Sequence, residues 1–341
     1  MRAAIFRGVE DVAVDDVDEP VISRDGIIID VHACGICGTD VHGFASGLLL
    51  EPGQVMGHEF AGEVTAVGED VADIAVGERV AAMPLVPCWS CPECVAGRVE
   101  LCAQAFNPGI GFGLPGALAE RVHVPTAKVG RTVFRLPADV GYEEGALLEP
   151  LAVAVHAAER APRSASDVVV ILGLGPIGQL IGRVLLGTGA SRVVGVERSP
   201  TRRACAERAG IETVDGTPGI AESVASVLGD TPVDIAFEAA GPPSFPNEAV
   251  GLVRKGGTVV IVSTYEAPAL VDVASFAVTQ KTVTSTSAYR SEDYTRAIAL
   301  VRDGLVVPGE IVTGRESIGD IASVLSNLVR PGEDIKILIN L

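Results

Sequence analysis

Cys88, Cys91, Cys94 and Cys102 follow one another as C-x2-C-x2-C-x7-C. Four thiolates so close in sequence can complete a tetrahedral zinc site, and a site with every position filled leaves none for a substrate. The lobe 88–102 is therefore expected to hold a structural zinc that fixes a loop. A second, open site is suggested by Cys37 in Cys37-Gly38-Thr39-Asp40 and His58 in Gly57-His58-Glu59, with Glu59 and Glu149 as candidate carboxylates. Three protein ligands leave one vacancy for chemistry. An alcohol, with a pKa of roughly 16, gives up its proton at neutral pH only where a Lewis acid stabilises the alkoxide. Adjacent strand residues point to opposite faces, so His58 and Glu59 share one ion only where the backbone is irregular, which Gly57 permits. Glu149 lies in the apolar stretch 145–152, where a carboxylate needs a partner, either a metal site or backbone at a helix end. Cys34 makes a C-x2-C with Cys37 yet reads as a packed thiol, and Cys205 as an inert one without a partner.

Gly173-Leu174-Gly175-Pro176-Ile177-Gly178 follows an apolar strand and opens a helix, the context that a dinucleotide-binding G-x-G-x-x-G requires. The first glycine makes the turn, the second lets backbone approach a pyrophosphate, and the third lets helix and strand pack. Glu197 ends the next strand, where a carboxylate accepts hydrogen bonds from the adenosine ribose hydroxyls and repels a 2′-phosphate. That favours NAD. Arg198, Arg202 and Arg203 just beyond could pair a phosphate, which keeps NADP as the alternative.

These residues need elements to hold them. The first 140 residues carry short β-like runs bounded by glycine or proline, such as Ile27 to Val31, Glu63 to Val67 and Arg79 to Met83, and the first long helical period covers Glu143 to Arg160. From Asp167 apolar strands alternate with amphipathic helices: Val168 to Leu172, Pro176 to Leu186, Arg192 to Val196, Pro200 to Ala209, Val233 to Phe237 and Thr258 to Val262. This alternation predicts an α/β domain built on a parallel sheet. Helices at Glu292 to Arg302 and Ile318 to Leu328 and a strand at Ile335 to Ile339 close the chain.

A chain of 341 residues with 48% hydrophobic content can bury two cores. Its formal charge of −18 argues against nucleic-acid or anionic-membrane partners and for a small-molecule one. The longest uncharged apolar stretch, Val168 to Gly182, is too short for a bilayer and is interrupted by glycine and proline. The N-terminus turns acidic without a secretory apolar core, and metal-spaced cysteines suit a reducing compartment, so a cytoplasmic protein is expected.

Taken together, Cys34-Gly-Ile-Cys37-Gly-Thr39-Asp40-Val-His42, Gly57-His58-Glu59-Phe-Ala-Gly62, the cysteine lobe, Leu148-Glu149-Pro150-Leu151 and the glycine loop resemble the zinc-containing medium-chain dehydrogenase/reductase family, in its sorbitol, threonine and butanediol dehydrogenase branch. The resemblance spans essentially the whole chain. It implies a GroES-like β-rich catalytic domain made from residues 1–150 and 290–341, a Rossmann doubly wound parallel sheet inserted as residues 151–289, and an active cleft where they meet. It implies two zinc ions per chain, with catalytic zinc on Cys37 and His58, Glu59 as third ligand, and Glu149 bonded to the metal water or exchanging with it. Thr39 would take the alcohol proton by hydrogen bond and His42 would pass it to solvent, while Asp40 orients a ligand. Arg315 falls where relatives place a cofactor-contacting arginine. A homodimer or homotetramer joined by sheet extension is also implied. Leu48, Leu49 and Leu50 replace the polar loop common in polyol enzymes and hint at less polar alcohols. The expected activity is oxidation of a secondary alcohol, vicinal diol or polyol to a ketone with NAD. Competing readings are an NADP-linked ketone reductase, a non-catalytic dinucleotide-binding structural or regulatory protein, and a reductase without catalytic zinc.

Overall fold

The structure, a computed structural model, describes all residues except 218, 266 and 331. The chain divides into two compact units, one comprising 1–149, 289–302 and 312–341, the other 150–288 and 303–311. The sequence places the boundaries at 150/151 and 289/290 and returns everything after 290 to the first domain. Residues 303–311 instead group with the second unit. The reason is local: Arg183 reaches Glu310 at 3.4 Å, and a Cβ on Gly187 would sit 2.7 Å from the Leu305 carbonyl.

In the first unit β1 (Arg2–Gly8) and β2 (Asp11–Asp16) form an antiparallel hairpin. β3 (Ile27–Gly35), β4 (Glu59–Val67) and β5 (Arg79–Ala82) form the middle of the main sheet, with helix α1 (Gly38–Ser46) between β3 and β4. Gly62 is needed where β4 crosses β3, because a Cβ there would lie 1.9 Å from the Asp30 carbonyl. Helix α2 (Pro92–Val95), a small β6 (Gly109–Ile110) and β7 (Gly113–Leu114) pair, then β8 (Arg121–Val124) and β9 (Val133–Arg135) follow. The predicted long helix is two, α3 (Tyr142–Ala146) and α4 (Leu148–Glu159). Pro150 has no N–H to give the carbonyl four residues back, so the helix restarts with proline in its first turn, where it is tolerated.

In the second unit β10 (Val168–Leu172) is wholly buried and leads through the glycine turn into α5 (Pro176–Gly187). Then come β11 (Arg192–Val196), α6 (Pro200–Arg208), β12 (Glu212–Val214), α7 (Ile220–Leu228), β13 (Val233–Glu238), α8 (Phe245–Leu252), β14 (Val253–Ile261), α9 (Val273–Val278) and β15 (Thr282–Ser285). Among the described residues these strands make one parallel sheet in the order β12-β11-β10-β13-β14-β15. The order reverses between β10 and β13, the arrangement of doubly wound dinucleotide-binding folds. A core of Val170, Leu172, Val194, Ala236 and Val259 lies against this sheet.

The chain completes the first unit with α10 (Ser291–Arg302), β16 (Val312–Ser317), α11 (Ile321–Leu328) and β17 (Lys336–Asn340). β17 pairs antiparallel with β3, so the main sheet runs β16-β17-β3-β4-β5-β9 with β8 also on β3. Its core includes Ile29, Phe60, Val80, Leu118, Leu325 and Ile339. Among the described residues no helix is long and apolar enough to cross a membrane.

Candidate active site

Cys37 caps α1: its N–H donates to Asp40 Oδ2 at 3.0 Å. Asp40 Oδ1 accepts the Gly57 N–H at 3.3 Å and lies 3.7 Å from His58 Nδ1. One buried carboxylate therefore holds both ligand-bearing segments in place. Gly57 adopts φ +90°, and β4 starts only at Glu59. This is the irregularity that lets consecutive residues turn to one point. The ligand atoms of Cys37, His58 and Glu59 all lie within 4.8 Å of one another.

The electrostatics of this cluster ask for a cation. Burial disfavours a charged His58 ring, yet Asp40, Cys37 and Glu149 outweigh it and push its pKa up to about 10. His58 Nδ1 is buried without a hydrogen-bond partner. A thiolate, an imidazole and a carboxylate at this spacing form a donor set that suits zinc, so the residues fit the ion.

Glu59 has a partner far away in the chain. Its Oε2 accepts a hydrogen bond from Lys336 Nζ at 2.5 Å, and Lys336 also donates to the Ile36 carbonyl at 2.9 Å. Both side chains are 1% exposed. Gly35 leaves room for the carboxylate, since a Cβ there would lie 2.2 Å from Glu59 Oε2. The only available signal was a lysine inside the apolar run Ile335 to Ile339.

Glu149 is buried in the first turn of α4 but stands outside the close group of ligand atoms. Burial and then Glu59 push its carboxyl up to about 7, with His58 and Tyr289 opposing. Thr39 Oγ1 lies 3.6 Å from Cys37 Sγ, and His42 is exposed on α1. Leu50 is buried while Leu48 and Leu49 are exposed. Cys34 is a buried thiol, raised by desolvation. Arg315 pairs with Glu143: its Nε donates to both carboxylate oxygens, at 2.9 and 3.0 Å, and its Nη2 lies 2.8 Å from Oε2.

The sulfurs of Cys88, Cys91, Cys94 and Cys102 also lie within 4.8 Å of one another. Backbone N–H groups of Cys88, Cys91 and Cys94 donate to the sulfurs of Cys102, Cys88 and Cys91. Hydrogen bonds from Ser90 and then Cys91 bring the Cys88 thiol down to about 6, while burial and the neighbouring sulfurs push Cys94 up to about 12. None of the four is in a disulfide, so the lobe fits a closed zinc site.

In the second unit Gly173 takes φ +91°, and a Cβ on Gly178 would lie 2.0 Å from the Gly173 carbonyl, whereas one on Gly175 would meet nothing. Pro176 and Ile177 open α5, whose N-terminus faces this turn. Glu197 is pinned by three backbone amides: Leu174 at 3.0 Å on Oε2, Arg198 at 2.7 Å and Ser199 at 2.9 Å on Oε1. Arg203 is spent on the carbonyls of Glu197 and Arg198, while the Arg198 side chain is exposed. Cys205 is not without a partner as expected: Arg183 lies 3.6 Å from its sulfur, which meets the Glu310 carbonyl at 3.5 Å.

The alcohol dehydrogenase GroES-like domain family matches residues 23–137, and the zinc-binding dehydrogenase family matches residues 176–303. The (R,R)-butanediol dehydrogenase of Bacillus subtilis is 31% identical, with 99% of each chain covered. The sorbitol dehydrogenase of the same organism is 33% identical over 77% of this chain and 74% of its own. Among solved structures, the 2R,3R-butanediol dehydrogenase of Bacillus subtilis superposes with a TM-score of 0.88 at 30% identity, covering 100% of this chain and 99% of the other. A Sinorhizobium meliloti protein solved bound to NADP gives 0.91 at 31% identity, with 100% and 99% covered.

Proposed function

The chain belongs to the zinc-containing medium-chain dehydrogenase/reductase family, and on that premise we propose that it oxidises a secondary alcohol or vicinal diol to a ketone with NAD. The observation that carries this reading is the Cys37, His58 and Glu59 donor cluster, closed to within 4.8 Å. Zinc held by these three residues supplies the Lewis acidity that lets an alcohol lose its proton near neutral pH. Asp40 fixes the two ligand segments, and Glu149 stands close by as the remaining carboxylate, able to hold a proton near neutrality. Thr39 would accept the alcohol's proton by hydrogen bond while releasing its own hydroxyl proton, and the exposed His42 would pass that proton to solvent through the cofactor's ribose hydroxyls. Cys88, Cys91, Cys94 and Cys102 hold the second, structural zinc. The loop from Gly173 to Gly178 receives the pyrophosphate, and the pinned Glu197 receives the adenosine ribose.

NAD is favoured because Glu197 is bonded to three amides and has no freedom to swing from a 2′-phosphate. NADP-linked ketone reduction is the second reading, supported by the free reach of Arg198 and by the relative solved with NADP. The setting proposed is cytoplasmic, supported by free, metal-spaced cysteines, and the assembly a homodimer or homotetramer, supported by β15 lying at an edge of its sheet. A panel of secondary alcohols, vicinal diols and ketones, assayed with NAD(H) and NADP(H), tests the activity. Turnover of at least one diol or secondary alcohol with NAD is expected, falling at least ~10²-fold in Cys37→Ser. Retained turnover in that variant contradicts the reading.

A further inference from the structure

β13 ends on Glu238, a carboxylate with 0% exposure at the carboxyl edge of the parallel sheet. It pairs with Leu172 of β10 on one side and Ile261 of β14 on the other. Its Oε1 accepts the N–H groups of Ala240 at 2.9 Å and Gly241 at 2.8 Å, and its Oε2 accepts the phenol of Tyr265. Its main-chain carbonyl takes the amides of Val262 at 2.9 Å and Ser263 at 3.2 Å. One residue thus organises both loops that leave this edge, 239–241 and 262–265. A buried carboxylate is costly unless such bonds satisfy it, and an apolar side chain would serve sheet packing alone as well.

The first of these loops leans on the glycine turn. A Cβ on Gly173 would lie 2.7 Å from Ala240 Cβ and 2.9 Å from the Ala239 carbonyl. With the pyrophosphate at the end of β10 and the adenosine ribose at Glu197 after β11, the strand order sends the other half of a dinucleotide toward the ends of β13 and β14. There the cofactor meets the two loops that Glu238 ties.

We propose that Tyr265, anchored by Glu238, is a positioning residue for the nicotinamide half of the cofactor. The proposal rests on the reading of this unit as a dinucleotide site. Tyr265 is partly exposed, while its hydroxyl turns inward to the buried carboxylate. Burial and the Glu238 bond raise its pKa, so it remains a donor throughout the working range.

The test uses the zinc-loaded full chain and two probes, NADH followed by its nicotinamide fluorescence and AMP followed by calorimetry. Tyr265→Phe, whose ring is no longer held by Glu238 and must be ordered on binding, should bind NADH roughly tenfold more weakly, with a higher KM for NAD and an unchanged AMP affinity. Glu238→Gln should move NADH binding the same way. Wild-type NADH affinity in Tyr265→Phe overturns the proposal, and so does an equal loss of AMP and NADH, which marks general loosening. If the wild-type chain binds neither probe, the dinucleotide reading itself falls and takes the proposal with it.

Discussion

Lys336 makes Glu59 tolerable in the interior of the first unit. A lone carboxylate at that depth would be unsatisfied, whereas the pair, with the Ile36 carbonyl as a further acceptor, is closed. Burial alone would lower the Lys336 pKa, and the attraction of Glu59 and then Cys37 reverses this. Breaking one side of a buried pair costs ~3–5 kcal/mol. Lys336→Met should therefore lower the urea midpoint by that equivalent, and Glu59→Gln in the same chain should recover much of it. Trp89, the single tryptophan, lies in the first unit and reports its unfolding by fluorescence. An unchanged midpoint in Lys336→Met would show that the pair carries no such weight. The candidate donors were legible in the sequence, because Cys37 and His58 are ligand types that suit zinc and stand in short glycine-flanked motifs. Lys336 was not, because nothing in a linear chain joins residues 59 and 336 until β17 pairs with β3.

At the level of elements, the strand, turn and helix from β10 to α5 separate two glycine roles. Gly178 is a packing glycine, with no space for a Cβ beside the Gly173 carbonyl. Gly175 has φ −66° and open surroundings, so alanine fits the fold, but its methyl projects where a pyrophosphate must approach. Gly175→Ala should therefore keep the wild-type Tm and lose NADH affinity, while Gly178→Ala should lower both. Equal Tm losses in the two variants, read by calorimetry, would refute the division. The same stretch shows what the sequence makes visible. Val168 to Leu172 and Arg192 to Val196 match the observed strands because fully buried parallel strands read as unbroken apolar runs. β14 starts five residues earlier than the Thr258 expected, since its pairing with β13 shifts register after Val253 and Gly256 turns at φ +73°. Periodicity does not register a bulge of that kind.

For the whole molecule, acidic groups outnumber basic ones by 44 to 26, and among the described residues the two buried cations each face a carboxylate, Lys336 at Glu59 and Arg183 at Glu310. Two cores were foreseeable from length and hydrophobic content, whereas the assignment of 303–311 to the second unit depends on side-chain contacts with α5 that composition does not encode. On the proposed reading this chain carries two zinc ions in chemically different sites, one closed and one open. Anomalous diffraction at the zinc absorption edge, from metal-replete crystals, tests it most directly. Two peaks per chain are predicted, one among the sulfurs of Cys88, Cys91, Cys94 and Cys102, the other bonded by Cys37, His58 and a carboxylate. A single peak at the cysteine lobe, with nothing between Cys37 and His58, would contradict the account.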